Sequence, residues 1–182
     1  MTDVRGALLQ QIKDKAVVHG KVTLSSGLEA DYYVDLRRIT LDGEAAPLVG
    51  QVLLDLTADL EYDAVGGMTL GADPVAGAML HAAAARGRTL DAFVVRKTAK
   101  THGMQRRVEG PAIKGRRVLV VEDTSTTGGT PLAAVEAVRE AGAEVVAVVT
   151  IVDRATGAGE KIQDGAGVPY LYAYDKDELG LD

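Results

Sequence analysis

From residue 44 onward, short and almost wholly apolar runs alternate with amphipathic stretches, and that order restricts the chain to few folds. The apolar runs are Ala64 to Gly67, Leu90 to Val95, Val118 to Val121, Glu144 to Val152 and Val168 to Tyr174. They are rich in β-branched residues and continuous rather than alternating, as strands buried on both faces must be. Between them, Glu44 to Leu60 carries a helical stripe of Leu48, Val49, Val52, Leu53, Leu56 and Leu60. Asp73 to Arg86 is a helix of small residues, and Pro131 to Ala141 is a third helical pattern. Strands alternating with helices predict an α/β fold, a mostly parallel central sheet with helices on its faces. In such sheets ligands sit beyond the carboxyl ends of the strands.

The first 40 residues follow another pattern. Thr2 to Lys15 has Val4, Leu8, Leu9 and Ile12 on one helical face, with Thr2 or Asp3 as cap. Lys21 to Ile39 reads as extended chain around a turn at Ser25-Ser26-Gly27. Asp175 to Leu179 reads as a terminal helical turn. A chain of 182 residues suits one well-filled domain, residues 1–182, with an N-terminal part of about 1–40 and an α/β core of about 44–182. There is no cysteine, hence no disulfide framework and no thiolate ligand or nucleophile. No apolar run is long enough for a membrane span or a secretory leader. The net charge of −6 argues against general nucleic-acid binding, which phosphate neutralisation drives. The expectation is a soluble cytoplasmic protein.

Val118 to Thr130 reads V-L-V-V-E-D-T-S-T-T-G-G-T: a buried strand, two acids, a small-residue loop and a helix start. Such a loop can wrap a phosphate, because glycines admit close approach and the helix N-terminus offers N–H groups and a positive dipole end. Glu122 and Asp123 would repel that phosphate and suit what is attached to it: sugar hydroxyls, a metal ion, or both. The plainer alternative is a strand–turn–helix junction with solvated acids and Thr126 or Thr127 as helix cap. Arg96 to Arg107 adds five Lys or Arg residues and His102 without an acid, which makes either an anion site or a solvated basic loop.

The strand, acid pair and Thr/Gly loop resemble the phosphoribosyl diphosphate motif of the type I phosphoribosyltransferases. R-K-x-x-K-x-H-G, here Arg96, Lys97, Lys100, His102 and Gly103, resembles the catalytic loop of the orotate phosphoribosyltransferases, in an actinobacterial-like form. The resemblance implies a type I phosphoribosyltransferase fold with a small N-terminal hood and a mobile catalytic loop. It also implies transfer of ribose 5-phosphate from phosphoribosyl diphosphate (PRPP) to orotate, giving orotidine 5′-monophosphate and pyrophosphate in UMP synthesis.

On that resemblance, Arg96, Lys97, Lys100 and His102 are catalytic and bind PRPP, with His102 as proton donor to the pyrophosphate. Glu122 and Asp123 hold the ribose hydroxyls, and Thr124, Ser125, Thr126, Thr127, Gly128, Gly129 and Thr130 take the 5′-phosphate. Thr69, Leu70 and Gly71 bind pyrophosphate. Thr126, Arg154, Tyr32 and Tyr33 contact orotate, and a guanidinium fork does suit a planar carboxylate. The other readings are an Asp153–Arg154 surface pair, a surface role for His102, and core or dimer packing for the tyrosines. Mg²⁺ is implied as cofactor, carried by PRPP near Glu122 and Asp123 without a dedicated protein cage. A homodimer sharing the catalytic loop between subunits is implied as well. Two positions depart from many relatives, Ser25 and Leu70, where lysines are common. Lys21 compensates for Ser25, or that contact is lost. Another base as acceptor, or a sensor of PRPP without catalysis, are the competing readings; the intact basic loop argues against both.

Overall fold

The computed structural model describes residues 2–23, 27–99, 101–103 and 106–181. Its frame is a six-stranded sheet in the order β5-β4-β3-β6-β7-β8. The strands are β3 (Ala64–Met68), β4 (Asp91–Val95), β5 (Val108–Glu109), β6 (Arg117–Ser125), β7 (Glu144–Asp153) and β8 (Tyr170–Asp175). All neighbours pair in parallel except β4 and β5. Alternate residues of one strand feed two cores, as the continuous apolar runs demand. Val118 and Val120 join Phe93, Val135, Val138 and Ile162 on one face. Leu119 and Val121 join Leu8, Ile12, Val49, Leu53 and Met79 on the other.

The helices are α1 (Val4–Gln11), α2 (Arg37–Thr40), α3 (Ala45–Leu56), α4 (Ala72–Ala85), α5 (Gly129–Glu140) and α6 (Ala158–Ala166). The Asp3 carboxylate caps α1 by accepting from Gly6 N at 2.9 Å. The helix runs on into a wider π-type turn, Ile12–Ala16. β1 (Val17–Thr23) and β2 (Glu29–Val34) then form a separate antiparallel pair. This pair begins earlier than the expected extended segment and gives way to helix after Val34. Thr57 closes α3 four residues short of the expected end, its hydroxyl donating to Leu53 O at 2.7 Å.

Three expectations are corrected. β6 continues through the acids to Ser125, so the loop itself is only Thr126 to Gly128. Pairing with β7 holds these residues extended, Thr124 opposite Val152 and Ser125 opposite Asp153. α6 was not anticipated. In place of the expected helical turn from Asp175, β8 takes Asp175 and residues 176–180 form turns, with Glu178 N donating to Asp175 Oδ1 at 2.9 Å.

The sheet order reverses direction between β3 and β6, since β4 lies outside β3 while β7 and β8 extend beyond β6. At such a switch point the two following loops diverge and leave a crevice.

Candidate active site

The loops after β3 and β6 line one cavity of about 600 Å³. Thr69, Leu70 and Gly71 form one wall, and Glu122, Asp123, Thr124, Thr126, Thr127, Gly128 and Thr130 form the other. Asp35 and Arg37 enter from the segment after β2, and Lys97 from the end of β4. Two helices, α4 and α5, begin here without a side-chain cap. Thr127 Oγ1 reaches Gly129 N only at 3.5 Å, and Gly128 is the α5 cap residue, with φ 79°. The plainer alternative, with Thr126 or Thr127 as the helix cap, is thus not realised. A helix start without a side-chain cap can offer first-turn N–H groups to an anion, although Asp73 N of α4 already donates to Leu70 O at 3.3 Å.

Glu122 is buried, 6% exposed, at the floor of this cavity. Burial, then the adjacent charge of Asp123, pushes its carboxyl up to about 8. A Cβ on Gly71 would collide with Glu122 Oε1, so only glycine lets the backbone of the Thr69 to Gly71 segment lie this close. Asp123 is half-buried and accepts from Thr124 N at 2.8 Å. Thr69 Oγ1 donates to Asp73 Oδ2 at 2.6 Å, holding the start of α4 against the loop. The Thr69–Leu70 peptide is cis, and the Leu70 side chain is exposed.

Not every expected residue reaches the cavity. Ser125 is 1% exposed, and its hydroxyl donates to Asp153 Oδ1 at 2.8 Å and meets the Tyr170 hydroxyl at 2.8 Å. It is committed inside the fold rather than to a phosphate. Gly129 does not line the cavity either, though its N–H opens α5. Arg96 lies 3.6 Å from Glu109, and His102 is exposed outside the cavity lining. Lys100 and Ser25 fall outside the described residues. Arg107, which had no expected role, ties the loop's two stems by donating to Arg96 O at 3.2 Å and Lys97 O at 3.4 Å.

A second recess, about 530 Å³, joins Arg154 to Tyr32 together with His19, Glu29, Asp31 and Leu181. Tyr33 is half-buried on the neighbouring position of β2 and does not line it. The Asp153–Arg154 surface pair, the alternative to a ligand role for Arg154, is not formed. Asp153 takes Ser125 and the Tyr170 hydroxyl instead, the latter at 3.0 Å. Burial pushes the Tyr170 hydroxyl up to about 12, so it remains a donor.

Residues 44–170 match the phosphoribosyl transferase domain. The orotate phosphoribosyltransferase of Streptomyces coelicolor is 92% identical over 182 residues, the full length of both chains. The chain belongs to the orotate phosphoribosyltransferase family. A crystal structure of the Mycobacterium tuberculosis orotate phosphoribosyltransferase in complex with Fe(III) dicitrate matches with a TM-score of 0.89 and 57% identity, covering 98% of this chain and 99% of that one. The same organism's orotate phosphoribosyltransferase in complex with PRPP matches at 0.85 and 51%, with the same coverage. As an orotate phosphoribosyltransferase relative, the chain has the type I fold: a mostly parallel sheet with helices on both faces. Among the described residues, no three His, Cys, Asp or Glu side chains gather as a metal site, and no helix is long and apolar enough to cross a membrane.

Proposed function

We propose that this chain transfers ribose 5-phosphate from PRPP to N1 of orotate, releasing pyrophosphate and forming orotidine 5′-monophosphate for pyrimidine synthesis. The observation that carries the reading is one cavity into which two uncapped helix N-termini and two acids converge. The helix ends suit the two phosphate groups of the donor, and the acids suit the ribose hydroxyls between them. The start of α5, with Thr126 to Thr130, takes the 5′-phosphate. The backbone of Thr69 to Gly71 at the start of α4 takes the pyrophosphate. Glu122 and Asp123 accept from the ribose hydroxyls, a role that ionised Glu122 serves best.

The C1′–O bond to pyrophosphate breaks as orotate N1 bonds to C1′ and gives up its N1 proton to solvent. Positive character on the ribose and negative charge on pyrophosphate peak in the transition state, so fixed cations there favour it over the ground state. Lys97 lines the cavity, and Arg96, Lys100 and His102 belong to the same basic stretch. His102 donates the proton that pyrophosphate gains on leaving. Arg154 takes the orotate carboxylate through its two-pronged guanidinium, with Tyr32 and Tyr33 on the β2 side and Thr126 at the junction of base and phosphate.

Mg²⁺ fits as a passenger of the diphosphate: among the described residues no three acids or histidines gather as a cage, and Glu122 and Asp123 would lie near the ion. Bound to the diphosphate oxygens, it would spread the leaving group's charge. Arg96 and His102 stand outside the chain's own cavity, which supports the family's homodimer, in which the loop serves the neighbouring subunit. Residues 1 to about 40 then act as a hood over the base, the remainder as the α/β core of a single domain. A cytoplasmic location suits the absence of cysteine.

The test is turnover of purified protein with PRPP and Mg²⁺, offering orotate, uracil, hypoxanthine and adenine separately. Loss of orotate absorbance with equimolar pyrophosphate is the expected result. Turnover of another base alone would overturn the acceptor, and tight PRPP binding with no turnover of any base would make the chain a sensor.

A further inference from the structure

Four polar side chains from three adjacent strands meet behind the cavity. Ser125 Oγ lies 2.8 Å from both Asp153 Oδ1 and the Tyr170 hydroxyl. The Tyr170 hydroxyl lies 3.0 Å from the same Asp153 oxygen and 2.9 Å from Thr150 Oγ1. Thr150 is fully buried. Three hydroxyl protons serve four contacts, so the group acts as one shared network in which removing a member disturbs the rest.

Each end of the network touches a different substrate's residues. Ser125 immediately precedes Thr126, whose carbonyl accepts from Thr156 Oγ1. Asp153 immediately precedes Arg154, and its second oxygen accepts from Ala155 N at 3.2 Å. Ala155 holds φ 54°, a backbone state that an L-residue keeps only when its surroundings impose it. The Tyr170 ring is seated under α6, where a Cβ at Gly159 would lie 2.9 Å from its Cδ1. The same helix braces the phosphate loop, since a Cβ at Gly128 would lie 3.1 Å from Ile162 Cγ1.

We infer that Tyr170 is a positioning residue whose hydroxyl, through Asp153 and Ser125, sets the Arg154 turn relative to the Thr126 end of the phosphate loop. Acceptor base and ribosyl donor are thereby held at bonding distance, a geometry on which rate depends steeply. This inference rests on the proposed orotate transfer. A purely structural hydroxyl would stabilise the edge of the sheet without favouring either substrate.

Tyr170→Phe keeps the ring under Gly159 and removes only the hydroxyl. Steady-state kinetics of wild type, Tyr170→Phe, Arg154→Ala and the double variant separate the two roles. The expected result for Tyr170→Phe is a rise in orotate KM of about five- to tenfold, the worth of one hydrogen bond, with PRPP KM within about twofold. In the Arg154→Ala background the same change should add less than about twofold, because coupled residues are not additive. Unchanged orotate KM, equal shifts for both substrates, or full multiplication of the two effects would each overturn the inference. Should Tyr170→Phe not fold, Ser125→Ala reads the same network, with a raised orotate KM expected and an unchanged one contradictory. Failure of wild type to turn over orotate would remove the functional reading and this inference together; normal wild-type turnover with an unaffected variant removes this inference alone.

Discussion

The cavity at the ends of β3 and β6 is walled mainly by two chain stretches that run into helix starts, whereas the recess beside β1 and β2 draws its walls from distant segments. In the first, most of the lining comes from residues 68–71 and 122–131, each stretch running into a helix start, with residues 34–37 and Lys97 completing it. In the second, His19, Tyr32, Arg154 and Leu181 meet although more than a hundred residues separate Tyr32 from Arg154. A site built at strand ends and helix starts depends on the glycines that let the backbone approach, such as Gly71. A side-chain-built site depends on each group and on whatever orients it. The phosphate side should therefore break through bulk at glycine, and the base side through loss of one charge.

The largest effect is expected from neither wall but from the basic stretch after β4. His102→Ala or Lys100→Ala should lower kcat by about 10²- to 10⁴-fold, the usual range for a lost general acid or a fixed countercharge, with an unchanged thermal midpoint. Normal turnover in both would detach the loop from the chemistry. Gly71→Ala comes next. Its methyl must displace the Glu122 carboxylate, and overpacking of this kind costs about 1–3 kcal/mol. PRPP affinity by calorimetry should fall about tenfold, with orotate binding to the base side little changed.

The smallest effect concerns pH. Glu122 titrates near 8 in the folded protein and near 4.5 when unfolded. Between those values the folded state binds the additional proton, so stability declines as pH rises through the window and the contribution is gone above about 8. Glu122→Gln has no such proton to lose. Its thermal midpoint without substrate should fall less than that of wild type as pH is raised across this range. Parallel curves would place the raised ionisation elsewhere.

The same contrast explains what was legible in the sequence. The cavity at the ends of β3 and β6 could be located because its parts are contiguous: a strand, two acids, small residues and a helix start within Val118 to Thr130. The reading erred where tertiary pairing overrode local pattern, as at Ser125, which looks like a loop hydroxyl yet lies on β6 opposite Asp153. α6 escaped notice because glycines flank and interrupt it, although Ala158, Ile162 and Ala166 do recur at a spacing of four and are all buried. β5 is two residues long and carries no periodic signal at all. On the base side, Arg154 stood out only by resemblance, and nothing local to Tyr170 marks it as a partner of Ser125 and Asp153. Contacts across strands leave no trace in a short window of sequence.

The account stands most directly on one ratio: kcat/KM for orotate over that for uracil, the same ring without the carboxylate, measured in wild type and in Arg154→Ala. A wild-type preference of at least about tenfold that collapses in the variant, chiefly through orotate KM, is the predicted result, since losing a hydrogen-bonded charge pair costs about 1.5–3 kcal/mol. A preference for orotate that survives Arg154→Ala intact would contradict the account, and the base would then have to be bound elsewhere.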